Sequence, residues 1–171
     1  LRKEVSIPVL LMGYLNPVMQ YGYKEFCESC QAVGIDGVIL PDLPLYEYTS
    51  QYKTLFEQHG LSNVFLVTPE TAPERIKKLD ELTDGFLYLV SSSSTTGGKS
   101  GIDGTIDYFS RVKEMNLNSP KMIGFNIKDA ASYNIAKTYS DGAIIGSAFI
   151  KAIEESLDLK SDIKEFISTI R

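Results

Sequence analysis

The chain has 171 residues, 43% hydrophobic and 23% charged, which is the length and composition of one globular domain with a sizeable core. Its formal net charge is −5 and its basic residues are scattered, which excludes a nucleic-acid or anionic-membrane surface built on clustered Lys and Arg. No apolar run approaches the roughly 18 residues of a membrane span, and no charged segment leads into a hydrophobic one as in a signal peptide, so a cytoplasmic enzyme or subunit is expected.

The chain opens on Leu1-Arg2-Lys3-Glu4-Val5-Ser6, which reads as the tail of a helix running into a strand. Short, continuous apolar runs follow at Ile7–Met12, Gly37–Leu40, Val64–Val67, Phe86–Val90, Met122–Phe125 and Ala143–Ile145. Runs without polar alternation suit strands buried on both faces, as in a parallel sheet. Amphipathic stretches separate them: Phe26, Cys30 and Val33 repeat at helical spacing, as do Tyr52, Leu55 and Phe56, then Ile76, Leu79 and Leu82, then Ile106, Phe109, Val112 and Met115. Gly34, Gly60 and Asn116 close helices, and helices over Ala148–Glu155 and Leu159–Ile170 end the chain.

Cys27 and Cys30 form a Cys-x-x-Cys, but they fall one turn apart in mid-helix rather than at a helix N-terminus after a strand, so they are read as structural. The single histidine, His59, sits at a helix end before Gly60 and is expected to be solvated. With one histidine and no second ligand cluster, no metal site is expected.

The pattern is strand–helix, six times over. Strands recur on average about every 27 residues, close to one eighth of a (β/α)8 barrel of roughly 250 residues. A doubly wound sheet would carry a glycine-rich turn after its first strand. Gly13-Tyr14-Leu15-Asn16-Pro17 is not one, and a TIM barrel is favoured. Six units cannot close an eight-stranded barrel and leave two open parallel edges. The expectation is therefore a single domain over 1–171, a partial TIM barrel of about six β/α units lacking the first two.

In such barrels ligands sit where strands end, so those loops carry the chemistry. Asp141-Gly142-Ala143-Ile144-Ile145-Gly146-Ser147-Ala148 is a strand that ends in Gly-Ser and starts a helix at once. Backbone N–H groups of Gly146 and Ser147 at a helix N-terminus suit an anion, with the Ser147 hydroxyl as N-cap or phosphate donor. Gly124-Phe125-Asn126 brings a second set of backbone donors alongside, and phosphate binding is the expectation. The loop Ser91 to Gly101 contains Gly98-Lys99-Ser100, but a P-loop needs glycine where Ser93 stands, so nucleotide binding is rejected. This loop reads better as a lid that orders over ligand. Leu40-Pro41-Asp42-Leu43-Pro44 is a strand exit stiffened by two prolines. Asp42 there could bond a ligand, orient a neighbouring loop or cap the following helix.

On these residues the chain resembles the α subunit of tryptophan synthase. The pieces that carry the resemblance recur in order: Ile7 to Pro17, Gly34 to Pro44, Phe86 to Ser91 with Thr96-Gly97, Gly124-Phe125, and Gly142 to Ala148. Gly-Ser-Ala alone is common to many phosphosugar barrels, whereas the Pro-Asp-Leu-Pro exit is more specific.

The resemblance implies a carbon–carbon lyase of tryptophan biosynthesis that cleaves indole-3-glycerol phosphate by a retro-aldol reaction into indole and glyceraldehyde 3-phosphate. It implies a four-chain complex with two β subunits, which hold pyridoxal phosphate; none is expected in this chain. It implies phosphate held at Gly97, Asn126, Gly146 and Ser147. Tyr14, Tyr88 and Phe125 would line the pocket, Thr96 would be the lid threonine, and Asn16, Pro17 and Asp42 would lie toward the β subunit. Two departures stand out. Gly124-Phe125-Asn126 replaces the usual Gly-Phe-Gly, and Ser94-Thr95-Thr96-Gly97 replaces Gly-Val-Thr-Gly. The family's two catalytic carboxylates belong to the second strand and the loop after it. No residue here matches either by motif, so residues 1–171 alone are expected to be inactive. The alternatives are another phosphosugar-binding barrel enzyme and a non-catalytic phosphate-binding protein.

Overall fold

The structure, a computed structural model, describes residues 2–90, 102–124 and 126–170, with the backbone only for 102–104. The chain falls into two compact units, Leu1–Leu66 with Glu81–Phe86, and Val67–Asp80 with Leu87–Arg171.

The first unit runs β1 (Leu10–Met12), α1 (Leu15–Tyr21), α2 (Tyr23–Val33), β2 (Gly37–Ile39), α3 (Leu45–Glu47), a π-helical segment (Tyr48–Tyr52), α4 (Lys53–Gln58) and β3 (Ser62–Val67). Its strands pair in parallel, Leu10 opposite Gly37 and Gly37 opposite Ser62. Every residue of β2 is buried, as the unbroken apolar run predicts. Strand β1 is shorter than its run, because what precedes it is held by side chains instead. Pro8 has no N–H, the Asp36 carboxylate takes the Val9 N–H at 2.7 Å, and Arg2 donates to the Ile7 carbonyl at 2.7 Å. Helix α2 ends where expected, with Gly34 left-handed at φ +76° and the Ile35 N–H returning to the Cys30 carbonyl at 2.9 Å.

Sequence periodicity does not announce α1, since Asn16-Pro17 looks like a loop. Proline is nevertheless tolerated in a first helical turn, where N–H groups lack partners anyway. The π segment has a local cause too. Thr49 donates to the Leu45 and Tyr46 carbonyls at 3.1 and 3.0 Å, and Ser50 donates to Tyr46 at 2.8 Å, taking acceptors that the helical ladder would use. Tyr48, Tyr52 and Phe56 all face inward as a result. The Tyr48 ring meets Phe65 edge-on at 5.0 Å, and Tyr52 packs on Tyr23 at 4.4 Å.

The second unit contains α5 (Pro73–Leu82, whose last residues belong to the first unit), β4 (Leu87–Val90), α6 (Ile102–Glu114), β5 (Lys121–Gly124), α7 (Ala130–Tyr139), β6 (Gly142–Ile144), α8 (Ser147–Ile153) and α9 (Leu159–Ile170). Here β4, β5 and β6 form a parallel ladder with Val90 opposite Gly124 and Gly124 opposite Ile144. Leu87, Leu89, Ile123, Phe109, Val112 and Ala136 make its core. Helix α6 is fixed to the end of β3 and the segment after it: the Tyr108 hydroxyl donates to Val67 O at 2.7 Å and Arg111 donates to Pro69 O at 2.8 Å.

One device recurs at the N-terminal ends of the strands. Asp36, just before β2, accepts the Val9 N–H and returns its own N–H to Val9 O at 2.9 Å. Asp141, just before β6, does the same with Lys121, at 2.8 Å in each direction. Asp84, ahead of β4, accepts the Asn63 N–H of β3 at 3.0 Å. Each aspartate is followed by a glycine, and at Gly37 backbone packing explains why, while at Gly142 and Gly85 the neighbours are side-chain atoms. A Cβ on Gly37 would stand 2.6 Å from Ser62 O, and one on Gly142 would stand 2.7 Å from the Met122 methyl. One on Gly85 would stand 3.2 Å from Val64 Cγ2.

Candidate functional site

In the second unit, the ends of β5 and β6 are aligned by register. Gly124 faces Ile144, and Asn126 and Gly146 each follow two residues on. Asn126 has φ +60°, the only positive φ among the described non-glycine residues. Asparagine tolerates that region better than most residues, as glycine does. Gly146 is the N-cap of α8, and a Cβ built there would meet nothing within 4 Å. Ser147 is thus the first helical residue and not the cap. Its hydroxyl is exposed and has no partner among the described residues. The first-turn N–H groups of α8 have no intrahelical acceptors, so Asn126, Gly146 and Ser147 present polar groups at one end of the ladder.

Tyr88 of β4 is buried, and burial pushes its hydroxyl pKa up. Its ring lies across Gly124. A Cβ at that position would fall 2.2 to 2.5 Å from Tyr88 Cε2, Oη and Cζ. Gly124 is therefore the slot that Tyr88 occupies, a role that sequence reasoning missed. The signal was a glycine ending a strand whose neighbour carries a tyrosine. Thr96, Gly97 and Phe125, and with them the whole lid loop, lie outside the described residues.

In the first unit, Tyr14, Asn16, Pro17 and Asp42 are all exposed, Tyr14 at 68%. The structure chooses among the roles open to Asp42. Its two carboxylate oxygens accept the Leu15 N–H at 2.8 and 3.0 Å, so it orients the neighbouring loop by holding the start of α1. Cys27 and Cys30 are buried free thiols on the inner face of α2. Burial, then the neighbouring Cys30, pushes Cys27 up to about 11, and burial raises Cys30 too, which is the opposite of a redox thiol. His59 is half-buried at its helix end with Nδ1 3.0 Å from Gln31 Oε1, and Gly60 follows at φ +65°. Among the described residues no three His, Cys, Asp or Glu side chains converge, and no helix is long and apolar enough to cross a membrane.

A family model described as the tryptophan synthase alpha chain matches residues 1–169. The chain belongs to the tryptophan synthase alpha chain family. It is 52% identical over 171 residues to the tryptophan synthase alpha chain of Flavobacterium psychrophilum, covering 99% of this chain and 67% of that one. The alpha chain of Bacteroides thetaiotaomicron is 46% identical over 159 residues, 92% of this chain and 62% of that one. The chain thus spans about two thirds of the length of these curated relatives. Among solved structures, a mutant tryptophan synthase alpha-subunit of the hyperthermophile Pyrococcus furiosus superposes with a TM-score of 0.84 at 29% identity, covering 99% of this chain and 68% of that one. Tryptophan synthase of M. tuberculosis in its aminoacrylate-bound form gives 0.78 at 30% identity, covering 97% and 63%. The fold is α/β and part of a TIM barrel, and the family is one of lyases in tryptophan biosynthesis.

Proposed function

We propose that this chain supplies the substrate-gripping part of a tryptophan synthase α subunit, which cleaves indole-3-glycerol phosphate into indole and glyceraldehyde 3-phosphate. In that reaction a base takes the proton of the glycerol hydroxyl beside indole C3. The carbon–carbon bond breaks as that hydroxyl becomes the aldehyde, and an acid protonates indole C3. The phosphate is held by backbone groups at Gly97, Asn126, Gly146 and Ser147, with the Ser147 hydroxyl as a further donor. Tyr14, Tyr88 and Phe125 line the pocket, and Thr96 closes the lid. Asn16, Pro17 and the loop that Asp42 holds face a β subunit that carries pyridoxal phosphate, while this chain needs no cofactor of its own. The setting is a single domain, a partial barrel, in the cytoplasm.

The observation that carries this reading is the register-matched pair of strand ends, with Asn126 in the left-handed conformation opposite Gly146-Ser147. The full set of family motifs, in order, supports it. Asp42 is committed to the Leu15 N–H, and no other residue of 1–171 matches a catalytic carboxylate by motif. Residues 1–171 alone therefore grip the substrate without turning it over. Incubating them with indole-3-glycerol phosphate, with and without β subunit, tests this: no indole is expected, while glycerol 3-phosphate binds and Ser147→Ala weakens that binding. Appreciable indole release would refute the division of labour, and absence of phosphate-dependent binding would refute the grip.

A further inference from the structure

The aspartate–glycine steps carry a chemical liability that the fold controls unevenly. In such a step the glycine nitrogen can attack the aspartyl side-chain carbonyl carbon. The new C–N bond closes a five-membered succinimide, the carboxyl hydroxyl leaves as water, and the nitrogen's proton goes to solvent. Water then reopens the ring at either carbonyl, so the chain loses and regains one water and no oxidant is needed. Opening at the main-chain carbonyl leaves an isoaspartate. Glycine favours the attack because no side chain shields its nitrogen and its backbone rotates freely.

Four steps have this sequence; Asp103–Gly104 lies in the first turn of α6, where only the backbone is described, and the other three, at Asp36, Asp84 and Asp141, have described side chains. These three differ in how firmly the carboxylate is held away from ring closure. Asp36 has its Oδ2 on the Val9 N–H at 2.7 Å, its Oδ1 on Arg2 at 3.0 Å, and its own N–H on Val9 O. Asp141 has the Lys121 N–H at 2.8 Å, the Lys121 ammonium at 3.2 Å and the same reciprocal backbone bond. Among the described residues Asp84 has one bond, from the Asn63 N–H at 3.0 Å, and no ion pair, and the following Gly85 N–H reaches only the Thr83 hydroxyl at 3.4 Å.

We infer that Asp84–Gly85 is a modification site of the folded chain, where isoaspartate forms first among these three steps, while the clamps on Asp36 and Asp141 suppress the same reaction there.

The test is to age the chain in warm neutral buffer, folded and in concentrated urea, and to map isoaspartate by peptide mass spectrometry with protein isoaspartyl methyltransferase as the labelling probe. In the folded chain Asp84 should react about tenfold faster than Asp36 or Asp141, the worth of one further charged hydrogen bond. In urea the three rates should converge. Arg2→Ala, a change at a surface ion pair, should raise the folded-state rate at Asp36 while leaving Asp84 and Asp141 unchanged. Equal rates in the folded chain would overturn the inference, as would Asp36 or Asp141 leading. So would no reaction at Asp84 while the urea-treated chain is modified.

Discussion

The Leu15 N–H sits between the two carboxylate oxygens of Asp42, at 2.8 and 3.0 Å, and the two residues lie three positions beyond the paired Met12 and Ile39. The aspartate at the end of one strand thus fixes the helix that follows its neighbour. Asp42→Ala should cost about 1 kcal/mol, the usual cost of removing a carboxylate that holds a helix start. Urea unfolding measures that loss. Hydrogen exchange should show the Leu15 amide opening faster while amides of β2 keep their protection.

Gly124 and Tyr88 form a second pair. Gly124→Ala forces a methyl into the Tyr88 ring, an overpacking worth about 1–3 kcal/mol. Phosphate-ligand binding should weaken as β5 and the Tyr88 ring move apart. Tyr88→Ala on the Gly124→Ala background should recover much of the lost stability. A double-mutant cycle reads this as a large interaction energy, and additivity would contradict the contact.

The thiols of α2 should be silent. At neutral pH a thiol reagent should modify neither Cys27 nor Cys30 in the folded chain, and both in denaturant. Because Cys27 is raised to about 11 when folded, unfolded thiols ionise first. Its contribution to stability is full below about pH 8.5. It is lost as pH rises through the folded value.

Acid acts through the opposite sign. Burial works to raise the Asp80 carboxyl, but the Asn118 and Ser119 N–H groups, each at 2.8 Å, hold it below its ordinary value. The Lys121 N–H, first among its causes, lowers Asp141 likewise. Both groups bind protons more weakly folded than unfolded. Their stabilisation is present above about pH 4 and is lost as pH falls through the folded values. Urea midpoints should be level near neutrality and fall below that point. Asp80→Ala, which strands two N–H groups, should lower stability at neutral pH by about 2 kcal/mol.

Much of this was legible beforehand, for physical reasons. Strands β2 and β4 announced themselves because burial on both faces forces an unbroken apolar run. Gly34 and Gly60 marked helix ends because a left-handed residue is needed there. Helix α1 was hidden because Pro17 looks the same in a loop as in a first turn. The π segment was hidden because hydroxyl-to-carbonyl bonds by Thr49 and Ser50 leave no trace in hydrophobic spacing. At the site, Asn126 was readable from its residue type, while the role of Asp42 needed a partner 27 residues away. Gly124 needed knowledge of where the Tyr88 ring goes, which register decides and residue identity does not.

The recurrent aspartate latches also bear on the order in which the chain acquires structure. They join residues 27, 21 and 20 positions apart, Asp36 with Val9, Asp84 with Asn63, and Asp141 with Lys121. Each closes the loop between two successive strands, with one or two helices inside it, without reference to any other part of the sequence. Loop closure of that length has a modest entropic cost, and contacts this local favour fast folding. Each latched pair is a candidate early nucleus in its own right, and substitutions at the three aspartates should slow folding more than they speed unfolding.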